Sequence, residues 1–600
     1  MMRPTRGVFE DLGIPVRKPQ YNGYVITLDR DGNEVIYFCF SQWGASLFLI
    51  QVNPKTGEMR QIDVKDACPE HGCSFAKSLI LGPDGKIYIG TAIGGFLLCF
   101  DPNMLEDGIR VLGRPSNTET YIFSLTVGVD GKIYGGTYGN AKLISYDPAT
   151  GKMEDLGRMD EDQMYSSTVV AGSDGLIYVG IGTARANIVA YDPKSRRHWS
   201  IIPESLKLEG KSGIVMKGGD GKVYGAVGDN YFLIENAQIK PISQKDYSIT
   251  PPPTLRDGGK IFFDRRSYSY IISGPSGEVK NKFEYNCAGA MVFVVGVGPE
   301  DKIYGSSALP LELFVYDPED GRLEDLGNPT SVDGEIYSMV SLHGKLYVCA
   351  YPGAWLSVYD PKKPWNYGTS KNSNPRGIGY VGDGHLRPRA MIVGPEDKIF
   401  IGSMPPYGEL GGAMAVYDPY KDAVVENYRN LIPNQSIVSL AYEPKSGLIF
   451  GGSSIFGGGG TRPVERDAHL FAWDPDKKRK VLDIVPVPRD PAIVSMTVAD
   501  GKVFAASSGS NSLIVYDSEQ WNIVHIERIP FGRPLDISLS THTDGFIYGI
   551  AGRTIFRVDI ENYKIEKVAE YNGEISCGFA LTDTGVYFGS GVHLIRYKLL

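Results

Sequence analysis

Gly82-Pro83-Asp84-Gly85-Lys86-Ile87-Tyr88-Ile89-Gly90-Thr91 decides the fold, because it recurs as Gly128-Val129-Asp130-Gly131-Lys132-Ile133-Tyr134-Gly135-Gly136-Thr137 and again around Gly172, Gly298 and Gly394. Asp-Gly between two alternating runs is a hairpin signal: glycine accepts the positive φ of a tight turn, and the aspartate side chain bonds its own backbone. About ten to fifteen residues downstream stands an apolar strand ending in Tyr-Asp-Pro, as at Tyr146-Asp147-Pro148, Tyr191-Asp192-Pro193, Tyr316-Asp317-Pro318, Tyr359-Asp360-Pro361 and Tyr417-Asp418-Pro419. Proline cannot donate to a ladder, so it stops the third strand, and a following glycine turns the chain into a short fourth one.

Repeats of roughly 40 residues with four short strands are the signature of propeller blades. Blade-like units start near residues 23, 73, 119, 163, 211, 252, 290, 334, 384, 435, 491, 534 and 574, with those at 211 and 252 the most degenerate. The fold expected is all-β, tandem β-propellers with about thirteen four-stranded blades, split seven plus six because one ring usually takes four to eight. The last unit holds only three strands. Val8-Phe9-Glu10-Asp11-Leu12-Gly13 matches the fourth-strand sequences Met153-Glu154-Asp155-Leu156-Gly157 and Leu323-Glu324-Asp325-Leu326-Gly327, so this N-terminal strand is expected to close the C-terminal blade. The simplest split then gives one ring residues 1–286 plus 574–600 and the other residues 287–573.

Composition is consistent with this reading. The chain has 600 residues, 42% hydrophobic, with a formal charge of -9 and no long run of like charges, which argues against nucleic acid as a partner. No stretch is long and apolar enough to span a bilayer, and the first residues lack an apolar leader, so neither a membrane nor export is expected and the sequence as written reads as cytoplasmic. Seven cysteines at irregular spacing suit a reducing compartment. Cys68 and Cys73 bracket His71, but without a second Cys/His pair they read as thiols rather than as a metal site or a loop disulfide.

Within an antiparallel blade the Asp-Gly and Asp-Pro turns share one end, while the second-to-third-strand loops and the links between blades share the other. Binding residues concentrate on long loops of a rigid scaffold. Three long segments, Trp365 to His385, Met404 to Gly412 and Ile455 to His469, are expected to meet on one rim of the second ring. There His385, Arg387 and Arg389 lead an innermost strand, with Tyr351, Tyr380 and Tyr407 on adjoining loops and Arg462 and Arg466 on the third segment. Arginine presents a fork that matches a carboxylate, and a tyrosine ring covers a pyranose face. A histidine or tyrosine beside a neutralised uronate carboxylate can remove the C5 proton. His385, Tyr407 and Tyr351 are therefore the catalytic candidates, and Arg387, Arg389, Tyr380, Arg462 and Arg466 the substrate-binding ones. The same residues admit a plain structural role: His385 bonding a loop, the arginines holding Asp383 and Glu396, the tyrosines packing blades. A second mouth, in the first ring, gathers Gln42, Trp43, His71, Lys77, Tyr121, Tyr138, Asn140, Tyr165 and Arg185 on shorter loops.

The alternation of Asp-Gly-Lys-Ile-Tyr-Gly-Gly-Thr with Tyr-Asp-Pro-x-Thr-Gly resembles bacterial carbohydrate-active propellers, notably ulvan lyases, oligogalacturonate lyases and rhamnosyl-glucuronate enzymes. The likeness lies in the repeats. It implies a His/Tyr/Arg elimination centre acting on an acidic oligo- or polysaccharide, hence a lyase cleaving uronic-acid-containing glycans. Oligogalacturonate lyases add a histidine-held metal; with eight scattered histidines no cage can be mapped here, and no cofactor is expected. Two alternatives stand beside the lyase: a non-catalytic propeller binding glycan or protein, and a glycoside hydrolase using carboxylates such as Asp383, Glu409 and Glu465.

Overall fold

Where the recurring decapeptide contains Asp-Gly, it builds its hairpin for a specific reason; at Gly298 and Gly394 the turn is instead made by Glu300-Asp301 and Glu396-Asp397 at positive φ. Gly85 has φ +77°, and the Gly85 amide donates to Gly82 O at 3.1 Å. Asp84 Oδ1 accepts the Lys86 amide, while Asp84 Oδ2 accepts the Tyr88 hydroxyl at 2.9 Å. The same tyrosine-to-aspartate bond recurs from Tyr134 to Asp130, Tyr178 to Asp174, Tyr224 to Asp220 and Tyr548 to Asp544. In the first four of these motifs the tyrosine ring packs on the leading glycine: a Cβ on Gly82 would come within 2.5 Å of the Tyr88 ring, and one on Gly128, Gly172 or Gly218 would meet its own tyrosine in the same way. Glycine, aspartate and tyrosine are thus one packing unit, which is why they recur together.

The computed structural model describes residues 7–275 and 277–599. Among the described residues twelve antiparallel sheets, one of them eight-stranded and made of two blades, give thirteen blades in sequence, and two compact units divide them. One unit spans residues 18–288 and holds blades 1 to 6, whose innermost strands are Gln20–Leu28, Phe75–Leu81, Tyr121–Val127, Tyr165–Ala171, Gly213–Lys217 and Lys260–Asp264. Its sixth blade has three strands, extended by a bridge between Thr254 and Lys260. Phe38, Phe40 and Ile50 of blade 1 pack on Tyr270, Ile272 and Phe283 of blade 6, which brings the end of this ring back to its start.

The other unit takes residues 7–17 and 289–599 and holds blades 7 to 13. Their innermost strands are Met291–Val297, Ile336–Leu342, Arg387–Val393, Ser436–Glu443, Ile493–Ala499, Ser540–Thr541 and Cys577–Thr582. The N-terminal strand Phe9–Gly13 completes blade 13, pairing with His593–Lys598 in the register Phe9 to Tyr597 and Glu10 to Arg596. Glu10 also accepts from Arg596 and from Lys598.

This corrects the expected split. Blade 13 belongs with residues 289–573, not with 18–286, because Ala580, Tyr587 and Leu594 share a core with Val292, Val295 and Phe314 of blade 7. The six-bladed ring is the early one and the seven-bladed ring the late one. A second correction concerns Cys68 and Cys73, which form a disulfide. The chain between them reverses through His71 at φ +58°, bringing their Cα atoms to 6.1 Å.

One irregularity positions everything that follows. Most innermost strands carry a β-bulge near their second or third residue, where pairing with the next strand skips a position. Pairing skips Lys77, Phe123, Ser167, Phe293, Tyr337, Val438 and Val494, and skips the pair Pro388 and Arg389 and the pair Gly578 and Phe579. A bulge re-aims the side chain it leaves unpaired. The carbonyl before it is also displaced towards the preceding blade, where a serine meets it: Ser78 Oγ donates to Ile122 O, Ser338 Oγ to Pro388 O and Ser439 Oγ to Ile493 O, at 2.7 to 2.9 Å.

Candidate functional site

In the seven-bladed ring, bulge residues line a cavity of about 530 Å³ at the end carrying the inter-blade links. Phe293, Tyr337, Arg389 and Gly578 reach it from four inner strands, and Arg533, Asp536 and Glu574 reach it from two links. Arg389 forms an ion pair with Asp536 and lies 5.6 Å from the centre of the Tyr337 ring. The edge of Tyr337 meets Phe293, with ring centres 4.9 Å apart.

Behind Tyr337 the polar centre continues. The Arg387 guanidinium sits 4.6 Å from the Tyr351 ring and 5.1 Å from the Tyr407 ring. It donates to Tyr337 Oη at 3.1 Å and to Tyr407 Oη at 2.9 Å, and the Tyr351 and Tyr407 hydroxyls are themselves 2.9 Å apart. Arg387 begins its strand, Tyr351 follows the second strand of blade 8, and Tyr407 lies on the second-to-third-strand loop of blade 9. Arg387, Tyr351 and Tyr407 are thus in mutual contact, and Arg389 adjoins them through Tyr337. Burial, then the Tyr407 hydroxyl, raises the Tyr351 phenol above the ordinary tyrosine range.

Sequence reasoning missed two members of this centre. Glu335 precedes the inner strand of blade 8; burial pushes its carboxyl up to about 7, against the pull of Arg387. Tyr337 is the bulge residue of the same strand. The signal was available in the paired pattern of inner-strand starts, but a bulge depends on the partner strand and does not show in one segment alone.

Other candidates fall elsewhere. His385 is 4% exposed, its Nδ1 2.6 Å from Ser403 Oγ and its Nε2 3.0 Å from Asn427 Oδ1, and burial holds its imidazole down at about 4. Both ring nitrogens are thus engaged in holding the link to blade 9. Tyr380 ends the outermost strand of blade 8, 61% exposed and edge-on to Trp355. The segment after Trp365 does not join the rim: it connects the third and fourth strands of blade 8, with Trp365 against Tyr359 and the Tyr367 hydroxyl on Ser331. The two remaining long loops do meet, through the Gly408 amide on Gly459 O and the Gly458 amide on Glu409 O. Arg462 and Arg466 are exposed on the second of them. Glu409 pairs with Arg429, and Glu465 accepts from Asn434. Among the described residues no group of three His, Cys, Asp or Glu side chains is arranged to hold a metal ion.

Fold and site define a double β-propeller protein whose seven-bladed ring opens on an arginine and tyrosine pocket. No family model matches the chain, and no curated protein matches it. Among solved structures it is similar to the extracellular domain of BT4673 from B. thetaiotaomicron, described once as belonging to a one-component system and once to a hybrid two-component system. Both comparisons give 12% identity and a TM-score of 0.38, covering 98% and 99% of this chain and 82% and 83% of that domain. A likeness at this distance carries no argument about function.

Proposed function

We propose that the mouth of the seven-bladed ring binds an acidic oligosaccharide and cleaves it by β-elimination beside a uronate carboxylate. The observation that carries this reading is Arg387 held between two tyrosine rings while bonded to the hydroxyls of Tyr337 and Tyr407. A guanidinium fixed in this way presents charge to a carboxylate with little ordering cost on binding, and the rings beside it suit pyranose faces.

In the elimination, Arg387 and Arg389 neutralise the substrate carboxylate, which acidifies the neighbouring C–H. Tyr407 Oη, having first passed its own proton to solvent, takes the C5 proton; the electron pair forms the C4–C5 double bond, and the C4–O bond breaks with its electrons on the leaving oxygen. Glu335, whose carboxyl burial raises to about 7, supplies a proton to that oxygen. Tyr407 replaces His385 as the proposed base, since both His385 nitrogens already have partners.

The same engagement of His385 favours a second reading, in which the pocket binds an acidic glycan without cleaving it. Incubation with oligogalacturonate separates the two. Unsaturated product absorbing in the ultraviolet, lost in Tyr407→Phe, supports the lyase. Saturable binding without product supports the binding protein, and new reducing ends without unsaturation point to hydrolysis.

A further inference from the structure

The six-bladed ring carries an arrangement that the reading above does not use. Four consecutive blades present half-buried aromatic rings at one end of their inner strands. Tyr121 and Phe123 stack with centres 5.5 Å apart at 17°; Tyr138 stands edge-on to Tyr121 at 5.4 Å; and Tyr165 lies 4.5 Å from Tyr138 and 5.6 Å from Phe123. Lys77, the bulge residue of blade 2, places its ammonium 4.9 Å from the centre of Phe123, the bulge residue of blade 3. At the same end of blade 1, Trp43 stacks on His71 at 3.9 Å and packs on Phe75, which stands two residues before Lys77 on the inner strand of blade 2.

These rings are held rigidly by the backbone. Tyr138 and Tyr165 are bridged across blades 3 and 4, which joins these two blades into one sheet. The turn after Tyr138 is fixed by Glu119, 2% exposed, whose carboxylate accepts from Thr137 Oγ1, the Asn140 amide and Asn140 Nδ2 at 2.7 to 3.0 Å. The loop carrying His71 is closed by the Cys68–Cys73 disulfide and tied to blade 1 through the Leu47 amide on Cys73 O and the Gln42 amide on Ser74 O. Blade packing does not require any of this: the corresponding inner-strand start of blade 5 reads Gly213-Ile214-Val215.

We infer that the mouth of the six-bladed ring is a second saccharide-binding site, an aromatic arc that takes the pyranose faces of an oligosaccharide bearing an acidic group near Lys77. Rigid, half-exposed aromatic side chains give contact area to a flat, partly apolar ligand at low entropic cost. Nucleobases also stack on such rings, but tracking a phosphate backbone needs a row of cations, and this arc has one lysine in a chain of formal charge -9. The inference stands on residues of the other unit and does not depend on the lyase reading.

The test is calorimetric titration of the full chain with a galacturonate oligosaccharide, a neutral glucose oligosaccharide and a thymidine oligonucleotide. Lys77→Ala and Trp43→Ala are measured alongside Arg387→Ala, with circular dichroism confirming the fold of each. Lys77 is exposed and Trp43 half-exposed, so both variants are expected to fold. The expected result is acidic-sugar binding that survives Arg387→Ala and weakens at least tenfold in Trp43→Ala and Lys77→Ala. Unchanged affinity in both arc variants overturns the site, and so does preference for the oligonucleotide. Equal affinity for the neutral sugar overturns its acidic specificity. Loss of binding in Arg387→Ala alone places the ligand in the seven-bladed ring and overturns the second site.

Discussion

The hydroxyls of Tyr351 and Tyr407 lie 2.9 Å apart although 56 residues separate them in sequence, and Arg387 covers both rings. Neither tyrosine could be assigned a partner without the blade that sets the loop after one strand against the loop of the next. Their proximity makes Arg387 the residue that ties the two loops to Tyr337.

Replacing Arg387 by alanine removes the guanidinium that donates to the Tyr337 and Tyr407 hydroxyls, so stability should fall by about 1–3 kcal/mol. Arg387→Lys keeps the charge but not the planar fork. Affinity for oligogalacturonate at the seven-bladed ring should drop at least tenfold in both, with the lysine variant recovering most of the stability. Urea unfolding and titration check the two effects separately.

Glu335 gives a pH signature. Its carboxyl is raised from about the ordinary value to about 7 by burial, so the ionised form is disfavoured in the folded state. The contribution of this group to stability is full below its unfolded value and is lost as pH rises through 7. Glu335→Gln should therefore unfold at nearly the same denaturant concentration at pH 4.5 as the parent, and be more stable than the parent at pH 8. A parent and variant that respond identically across that range would remove Glu335 from the buried centre.

His385 should behave as a structural residue. Its alanine variant leaves Ser403 Oγ and Asn427 Oδ1 without that partner and opens a cavity, costing on the order of 2–4 kcal/mol. Whatever activity the parent shows should persist per folded molecule. Loss of activity in a variant whose unfolding curve is unchanged would instead restore His385 to the chemistry.

The clasp can be tested without touching the mouth. Phe9 lies between Tyr571 and Tyr597, with ring centres 5.2 and 4.9 Å away. Phe9→Ala should cost about 2–3 kcal/mol, at the low end for a phenylalanine because the ring is only half-buried. Hydrogen exchange should accelerate first in His593–Lys598, the strand that Phe9–Gly13 covers, and leave the blades of residues 18–288 unchanged.

Much of the blade was legible in one dimension because its determinants are local. Asp84, Gly85 and Tyr88 interact within a few residues, so the hairpin they build shows in any single repeat, and the match of residues 8–13 to other fourth strands revealed the clasp. The assignment of blade 13 to a ring was not legible, since it rests on Tyr587 and Leu594 meeting Val292 and Phe314 almost 300 residues away. The long segment after Trp365 was misplaced for a related reason: its length was visible, but whether it joined strands three and four or led into a blade depended on where strand four began.

The order of strands, their turns and the identity of the repeating unit were thus dictated by the chain itself, because period-two alternation and turn chemistry act over a handful of residues. Which side chains face the mouth was decided only by tertiary structure. A bulge exists between two strands, and it is the bulge that turns Tyr337 and Arg389 into one cavity and brings Lys77 and Phe123 together in the other ring.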